Sequence, residues 1–119
     1  MTLNEIAIDE LAARLGAVAL VDVRTPSEYD GSVGSPCDPR QGHIPGARHL
    51  DVARLADLDP ATIAAELGVE SGSEVVAYCH SGARSAIATE ILRSLGYDAR
   101  NYVGSWHEWS RHAALPLEK

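Results

Sequence analysis

Four segments of the chain combine hydrophobic residues three or four positions apart with the polar caps and glycine stops of helices. Asp9 is a candidate N-cap for a short first helix, and Asp59 followed by Pro60 opens the second. Gly16 and Gly68 end these two segments. The predicted helices cover residues 10–15, 60–67, 83–95 and 105–113. The third has the longest apolar stripe, formed by Ile87, Ala88, Ile91, Leu92 and Leu95.

Short apolar runs between these helices predict the strands of a parallel sheet. Residues 18–23 and 75–78 show no alternation of polar and apolar positions, which is typical of strands buried on both faces. Weaker candidates are residues 47–50 and 99–103, and residues 5–8 form a candidate edge strand. Because strands that alternate with helices need crossover connections, the pattern predicts an α/β sandwich. Its central, mostly parallel sheet has five strands, with helices on both faces.

The same layout indicates where a ligand would bind. Residues 30–46 form the longest irregular stretch, rich in Gly, Pro and Ser, and a loop of this length is often functional. In open parallel sheets, ligands bind at the carboxyl ends of the strands. Arg24 follows the first buried strand and Cys79 follows the second.

The composition of the chain argues against several classes of protein. The chain has 119 residues, of which 45% are hydrophobic and 23% charged, as expected for one globular domain. The net charge of −7 argues against nucleic-acid or anionic-membrane partners, because both need a basic surface. Two cysteines are too few for a secreted disulfide framework, and the first residues have no signal-peptide pattern. We therefore expect a cytoplasmic protein.

Cys79 stands directly between a buried strand and the longest predicted helix. A loop of small residues can turn its backbone N–H groups toward one point, and a helix N-terminus adds free N–H groups and a positive dipole end. The pKa of the thiol should therefore fall, and the thiolate is the nucleophile. Arg84 could place its guanidinium over a bound anion. Alternatively, Cys79 is a buried structural cysteine, although such a residue would not need Gly82 and Arg84 beside it.

Three segments of the sequence, in this order, resemble the rhodanese family. They are VDVR at 21–24 followed by Glu28-Tyr29, GHIPGA at 42–47, and the Tyr78-Cys79 loop continued by LGY at 95–97 and GSWHEW at 104–109. The last block and the long loop before Gly42 resemble the tandem thiosulfate and mercaptopyruvate sulfurtransferases. The resemblance covers nearly the whole chain and implies a single rhodanese-like domain over residues 1–119.

The resemblance implies ping-pong transfer of sulfane sulfur without a cofactor. The thiolate of Cys79 would take sulfur from a small donor such as thiosulfate or mercaptopyruvate and carry it as a persulfide. Cyanide or a thiol would then accept the sulfur. An alternative is a persulfide carrier or regulatory rhodanese module without turnover, which exchanges sulfur with a partner protein in a relay.

The resemblance also implies which residues form the site. Cys79 is the catalytic residue, and no metal is expected. The anion-binding loop is formed by His80, Ser81, Gly82, Ala83, Arg84 and Ser85. Arg84 follows Cys79 by five positions, whereas cysteine phosphatases and arsenate reductases place the arginine six positions after the cysteine, so the spacing favours a sulfurtransferase. The pair His80-Ser81 leaves the donor open, because enzymes specialised for thiosulfate tend to have basic residues there.

Other polar residues have two interpretations each. Arg24 either steers anions or, as the favoured interpretation, pairs with Glu28 to fix its loop. His80 is either a proton donor or an exposed loop residue. Cys37 is either a resolving thiol or, as favoured, an incidental cysteine.

His43 belongs to the turn around Pro45-Gly46 rather than to a metal site, because its spacing from Cys37, Cys79 and His80 matches no zinc pattern. Trp106 and Trp109 are expected in the core.

Overall fold

A computed structural model describes residues 4–119 and contains one parallel sheet. Its strands are β1 (Ala19–Asp22), β2 (Arg48–His49), β3 (Glu74–Tyr78) and β4 (Asp98–Asn101). They lie in the order β2-β1-β3-β4, and every neighbouring pair is parallel. The carboxyl ends of all four strands therefore lie at one edge of the sheet.

Six helices connect or flank these strands. They are α1 (Ile8–Ala13), α2 (Pro26–Tyr29), α3 (Val52–Leu55), α4 (Pro60–Leu67), α5 (Ala83–Ser94) and α6 (Ser105–Trp109). Asp59 caps α4 through its side chain and Gly68 ends it in the left-handed conformation, as the sequence predicts. Within residues 4–119, no helix has the length and apolar character required to cross a lipid bilayer.

The alternation of side chains along the buried strands builds two separate cores. Val75 and Ala77 of β3 face one core together with α3, α4 and α5. Val76 and Tyr78, the alternate residues, face a second core with α1 and α6. Both faces of β3 are thus covered, which explains its continuous apolar sequence. The predicted α/β sandwich with helices on both faces is confirmed.

The sheet has four strands rather than the predicted five. The candidate edge strand at residues 5–8 makes only one parallel bridge, between Glu5 and Asn101. Its backbone pairing is limited to the N–H of Ile6 on the carbonyl of Asn101 and the N–H of Asn101 on the carbonyl of Asn4. Because α1 begins at Ile8, the chain turns away before a strand can form.

Three helix predictions also differ from the structure. The N-cap of α1 is Ala7, and Asp9 lies in the first turn instead, where its charge favours the helix dipole. The buried residues of α5 are Ser85, Ala88, Thr89 and Leu92, whereas Ile87 is 55% exposed. The stripe is displaced because the polar Ser85 turns inward toward Cys79. Helix α6 ends at Trp109, before the predicted end at residue 113.

The long irregular segment at 30–46 is attached to α6 through Arg40. The Arg40 guanidinium donates to backbone carbonyls at the end of α6 and beyond, namely those of Trp109, Ser110, His112 and Leu115. In return, the indole N–H of Trp106 donates to the carbonyl of Arg40 at 3.0 Å. Trp106 and Trp109 are fully buried, as expected. These contacts place the segment beside the carboxyl edge of the sheet.

Candidate active site

Cys79 lies at the carboxyl end of β3, with 1% of its surface exposed. Its sulfur accepts a hydrogen bond from the backbone N–H of Gly82 at 3.1 Å and another from the hydroxyl of Ser85 at 3.3 Å. A structural cysteine would have apolar neighbours instead of donors aimed at its sulfur. The surroundings of Cys79 therefore suit a thiolate.

The three residues between Cys79 and α5 fold into a tight loop because Gly82 adopts a left-handed conformation, with φ of +96°. The side-chain amide of Asn101 donates to the carbonyl of Gly82 at 3.2 Å and fixes its peptide plane. Helix α5 begins at Ala83, as predicted, so Ser85 is its third residue. Its N–H is still one of the free donors of the first turn.

Hydrogen bonds to the Cys79 sulfur lower the pKa of the thiol more than its burial raises it. Burial alone would raise the pKa of the Cys79 thiol, because it penalises the charged form. The Ser85 hydroxyl and the backbone N–H groups of Ser85, Ser81 and Gly82 act in the opposite direction, and the net result is a lowered pKa. The loop thus populates the thiolate at a lower pH than for a free cysteine.

Replacing Ser85 with alanine should raise the pKa of Cys79, because the thiolate would lose a hydrogen bond, and a hydrogen bond to a charged group contributes about 1.5 kcal/mol. The rate of iodoacetamide alkylation, measured against pH in a Cys37→Ser background, would then show its midpoint at higher pH. Ser94→Ala is the matched control, since Ser94 is an exposed serine of the same helix. Identical midpoints in the two variants would contradict the role of the Ser85 hydroxyl.

Arg84 does not point its guanidinium at the sulfur but pairs with Glu28. Its two terminal nitrogens lie 2.8 and 3.1 Å from the two carboxylate oxygens of Glu28 in α2. Glu28 in turn forms a capping box with Thr25 at the start of α2. The bidentate pair joins α2 to the active-site loop and orients the positive charge of Arg84 next to it.

Because of this ion pair, the unfolding free energy of the protein should vary with pH in the acid range. Burial alone would raise the pKa of Glu28, but Arg84 and the backbone N–H of Thr25 lower it from 4.5 to about 2. The folded state therefore gains stability from the Glu28 carboxylate above pH 4.5 and loses it as the pH falls toward 2.

Glu28→Gln should cost about 1 kcal/mol of unfolding free energy at neutral pH, the upper range for a partly exposed pair, and nothing once the pH approaches 2. Urea denaturation at several pH values measures the difference. The control is Glu90→Gln at an exposed glutamate of α5. A cost for Glu28→Gln that did not change with pH would show that the carboxylate charge is not responsible.

Arg24 is buried, and its ion-pair partner is Asp22 rather than the Glu28 of the favoured interpretation. It is 1% exposed and donates to both carboxylate oxygens of Asp22, with the shortest distance at 2.7 Å. It also donates to the carbonyl of Gly42 at 2.7 Å, and its guanidinium lies over the rings of Tyr78 and Trp106. Arg24 thus joins β1 to the end of the irregular segment from inside the second core.

His80 turns toward the irregular segment instead of the sulfur. Its Nε2 lies 2.9 Å from a carboxylate oxygen of Asp38, whose side chain is buried. Ser81 lines a surface depression of about 390 Å³ together with residues of the loop after β4, with His107 of α6 and with Arg111, which follows α6. Ala83 is exposed at the start of α5. Of the loop residues, Gly82 and Ser85 therefore donate to the sulfur, whereas Ser81 lines this depression.

Cys37 and His43, which the sequence analysis also considered, form no hydrogen bond with the Cys79 sulfur. Cys37 is free and exposed. The His43 ring stacks on Tyr29, with centroids 3.8 Å apart, and its Nδ1 lies 2.8 Å from the Tyr29 carbonyl oxygen. Gly46 has φ of +81°, which fits the predicted turn.

Ser105 is a residue of the site that the sequence did not single out. Its hydroxyl accepts the backbone N–H of Cys79 at 3.1 Å and donates to the carbonyl of Tyr102 at 2.8 Å. Its φ of +55° is the single left-handed conformation among the non-glycine residues in the described part of the chain. Because Ser105 follows β4 at the same sheet edge as Cys79, the strand-end rule could have indicated it.

Comparison with known proteins gives a consistent family assignment. The putative thiosulfate sulfurtransferase of Mycolicibacterium smegmatis is 35% identical over 126 residues, covering 92% of this chain and 46% of that protein. The sulfur carrier protein TtuD of Thermus thermophilus is 36% identical over 120 residues, covering 87% of this chain and 42% of that protein. The chain therefore spans less than half the length of these two curated relatives.

A solved structure matches over nearly its full length. The human single-domain sulfurtransferase TSTD1 has a TM-score of 0.71 and 32% identity, covering 93% of this chain and 98% of that one. The family model described as Rhodanese-like domain matches residues 7–112. With its parallel sheet and its cysteine loop at the strand ends, the chain belongs to the rhodanese-like domain family.

Proposed function

We propose that this chain is a rhodanese-type sulfurtransferase in which Cys79 is the nucleophile and the carrier of a persulfide. The main support is the position of the Cys79 sulfur, 3.1 Å from the N–H of Gly82 and 3.3 Å from the hydroxyl of Ser85. The names of the matched relatives, a putative thiosulfate sulfurtransferase and a single-domain sulfurtransferase, support the same reaction class. Residues 1–119 act as one domain in this proposal.

The proposed cycle has two transfer steps. In the first, the thiolate of Cys79 attacks the sulfane sulfur of thiosulfate. A bond forms between the two sulfurs, the donor's own S–S bond breaks, and sulfite leaves with the electron pair. In the second, cyanide or a thiolate attacks the outer sulfur of the persulfide, and the Cys79 thiolate is regenerated. The N–H groups around the sulfur stabilise the anionic forms at both steps, and no cofactor takes part.

The loop residues would contribute to substrate binding in different ways. The N–H of Gly82 and the hydroxyl of Ser85 donate to the sulfur and would bind the persulfide anion. The N–H groups of Ser81 and Ser85, which lower the pKa of the thiol, would contribute to the same binding. His80, Ala83 and Arg84 would form the wall that the donor meets, with Arg84 held in place by Glu28. Because Glu28 offsets the charge of Arg84, the loop should attract the dianion thiosulfate less strongly than a free arginine would, and the proposal leaves the donor open between thiosulfate and 3-mercaptopyruvate.

A second candidate function is a persulfide carrier that exchanges sulfur with a protein partner. The relative named sulfur carrier protein TtuD favours it. A carrier would form the same persulfide on Cys79 but turn over slowly with small acceptors. The two candidates therefore share the nucleophile and differ in the second step.

The test is sulfur transfer from thiosulfate and from 3-mercaptopyruvate to cyanide, with intact mass recorded after each donor is added. An enzyme is expected to gain the mass of one sulfur atom and to lose it in repeated turnovers when cyanide is present. A stable gain of sulfur without turnover would support the carrier. Neither a mass gain nor turnover with any donor would overturn both candidates.

A further inference from the structure

We propose that Asp38, His80 and His107 form a binding site for a divalent transition-metal ion at the edge of the active-site loop. One carboxylate oxygen and one imidazole nitrogen from each histidine all lie within 4.8 Å of one another. Nε2 of His80 is 2.9 Å from one oxygen of Asp38, and Nδ1 of His107 is 3.9 Å from the other. The three side chains come from the irregular segment, the active-site loop and α6.

The spacing of these atoms suits a tetrahedral ion. Zinc bonds to histidine nitrogen and carboxylate oxygen at about 2.0–2.1 Å, which places neighbouring ligand atoms about 3.3 Å apart. The two imidazole nitrogens lie 2.9 and 3.9 Å from different oxygens of the Asp38 carboxylate, and one ligand atom from each of the three residues lies within 4.8 Å of the others. Rotation of the side chains would bring one carboxylate oxygen and both nitrogens to the tetrahedral spacing. The ion would take the place of the proton between His80 and Asp38.

The ligands are held by hydrogen bonds that do not involve the ligand nitrogens. The backbone N–H of His107 donates to the carbonyl of His80 at 2.9 Å, which fixes the two histidines relative to each other. The guanidinium of Arg111 donates to Asp38 at 2.9 Å and orients its carboxylate. Partners of this kind orient metal ligands in known sites. The positive charge of Arg111 also repels the metal ion, so the affinity of this site for the ion should be lower than that of a structural zinc site.

The set of donor atoms selects the class of ion. Two imidazole nitrogens and one carboxylate oxygen suit Zn²⁺, Co²⁺ or Ni²⁺, whereas Mg²⁺ and Ca²⁺ prefer oxygen ligands alone. Because the His107 side chain is half exposed, solvent can supply a fourth ligand. A bound ion would connect the irregular segment, the active-site loop and α6. The sequence could not indicate this site, since its ligands are 42 and 27 positions apart.

Metal binding can be measured independently of sulfur transfer. The protein is prepared with Cys37→Ser and Cys79→Ser, so that no thiol binds metal, and is titrated with Co²⁺ in visible absorption and with Zn²⁺ in calorimetry. We expect one ion per chain. His107→Ala should weaken binding by at least about tenfold, since even losing an outer partner of a ligand costs that much. Asp38→Asn should have a similar effect.

His112→Ala is the matched control, because His112 lines the same depression but lies outside the three-residue cluster. Its affinity should equal that of the parent protein. No saturable binding, or equal losses in the His107 and His112 variants, would overturn the site. The exposed His107 can be replaced without loss of the fold, so this comparison decides the matter even if Asp38→Asn unfolds.

Discussion

Cys79→Ser is expected to abolish sulfur transfer, lowering the rate by at least about a thousandfold, equivalent to a barrier about 4 kcal/mol higher. A serine hydroxyl remains protonated at neutral pH and does not form a stable analogue of the persulfide, so the first transfer step has no nucleophile. The variant should also gain no sulfur in intact mass after thiosulfate or 3-mercaptopyruvate is added. The fold should survive, since serine differs from cysteine by one atom.

Cys37→Ser is the matched control, because Cys37 is the second free cysteine of the chain and is exposed. It should retain the turnover and the persulfide of the parent protein. If Cys37→Ser lost activity and Cys79→Ser kept it, the nucleophile would be misassigned. Equal losses in both variants would instead indicate that the two thiols act together.

Gly82→Ala is expected to lower turnover by about a hundredfold, the cost of losing one preorganised donor at a developing anion. A Cβ at Gly82 would lie 2.8 Å from the carbonyl oxygen of Val103, so the loop must move. The movement would take the Gly82 N–H away from the Cys79 sulfur, and the pKa of the thiol would rise. Both effects are measurable, as turnover with thiosulfate and as the pH midpoint of alkylation.

Gly72→Ala separates this effect from backbone strain. Gly72 has φ of +95°, close to the +96° of Gly82, but a Cβ there would meet no atom within 4 Å. Both variants should lose about 1–2 kcal/mol of unfolding free energy, because a side chain disfavours the left-handed conformation, and Gly82→Ala should lose more because of its contact with Val103. Only Gly82→Ala should change the alkylation midpoint. If both variants, or neither of them, changed the reactivity of Cys79, the contact with Val103 would not explain the role of Gly82.

Local sequence patterns were sufficient to predict the strand, loop and helix that carry the candidate nucleophile. The apolar run of β3, the small residues after Cys79 and the start of α5 are adjacent in the chain, so their arrangement follows from strand burial and the conformational freedom of Gly82. The same holds for α4, whose cap at Asp59 and stop at Gly68 are local signals. The assignment of the loop residues to substrate binding remains a prediction.

The predictions differ from the structure where two local signals competed. Residues 5–8 have a strand-like composition, but the helix that starts at Ile8 limits them to a single bridge. In α5, the apolar stripe predicted an inward Ile87, yet the helix turns Ser85 and Thr89 inward. The orientation of α5 depends on the hydrogen bond from Ser85 to the Cys79 sulfur and on packing against the sheet. Both involve residues outside the helix, so the helix's own sequence does not predict them.

The sequence by itself determined the strands β1 to β4, the helices α1, α4, α5 and α6, the family and the identity of the candidate nucleophile, because each of these signals is carried by residues close together in the chain. The tertiary structure alone decided the partners of the polar side chains. Glu28 pairs with Arg84 across 56 positions, and Ser105 binds Cys79 across 26. These contacts exist because parallel strands bring their carboxyl ends to one edge, where loops distant in sequence meet. No local spacing encodes which of those side chains will touch.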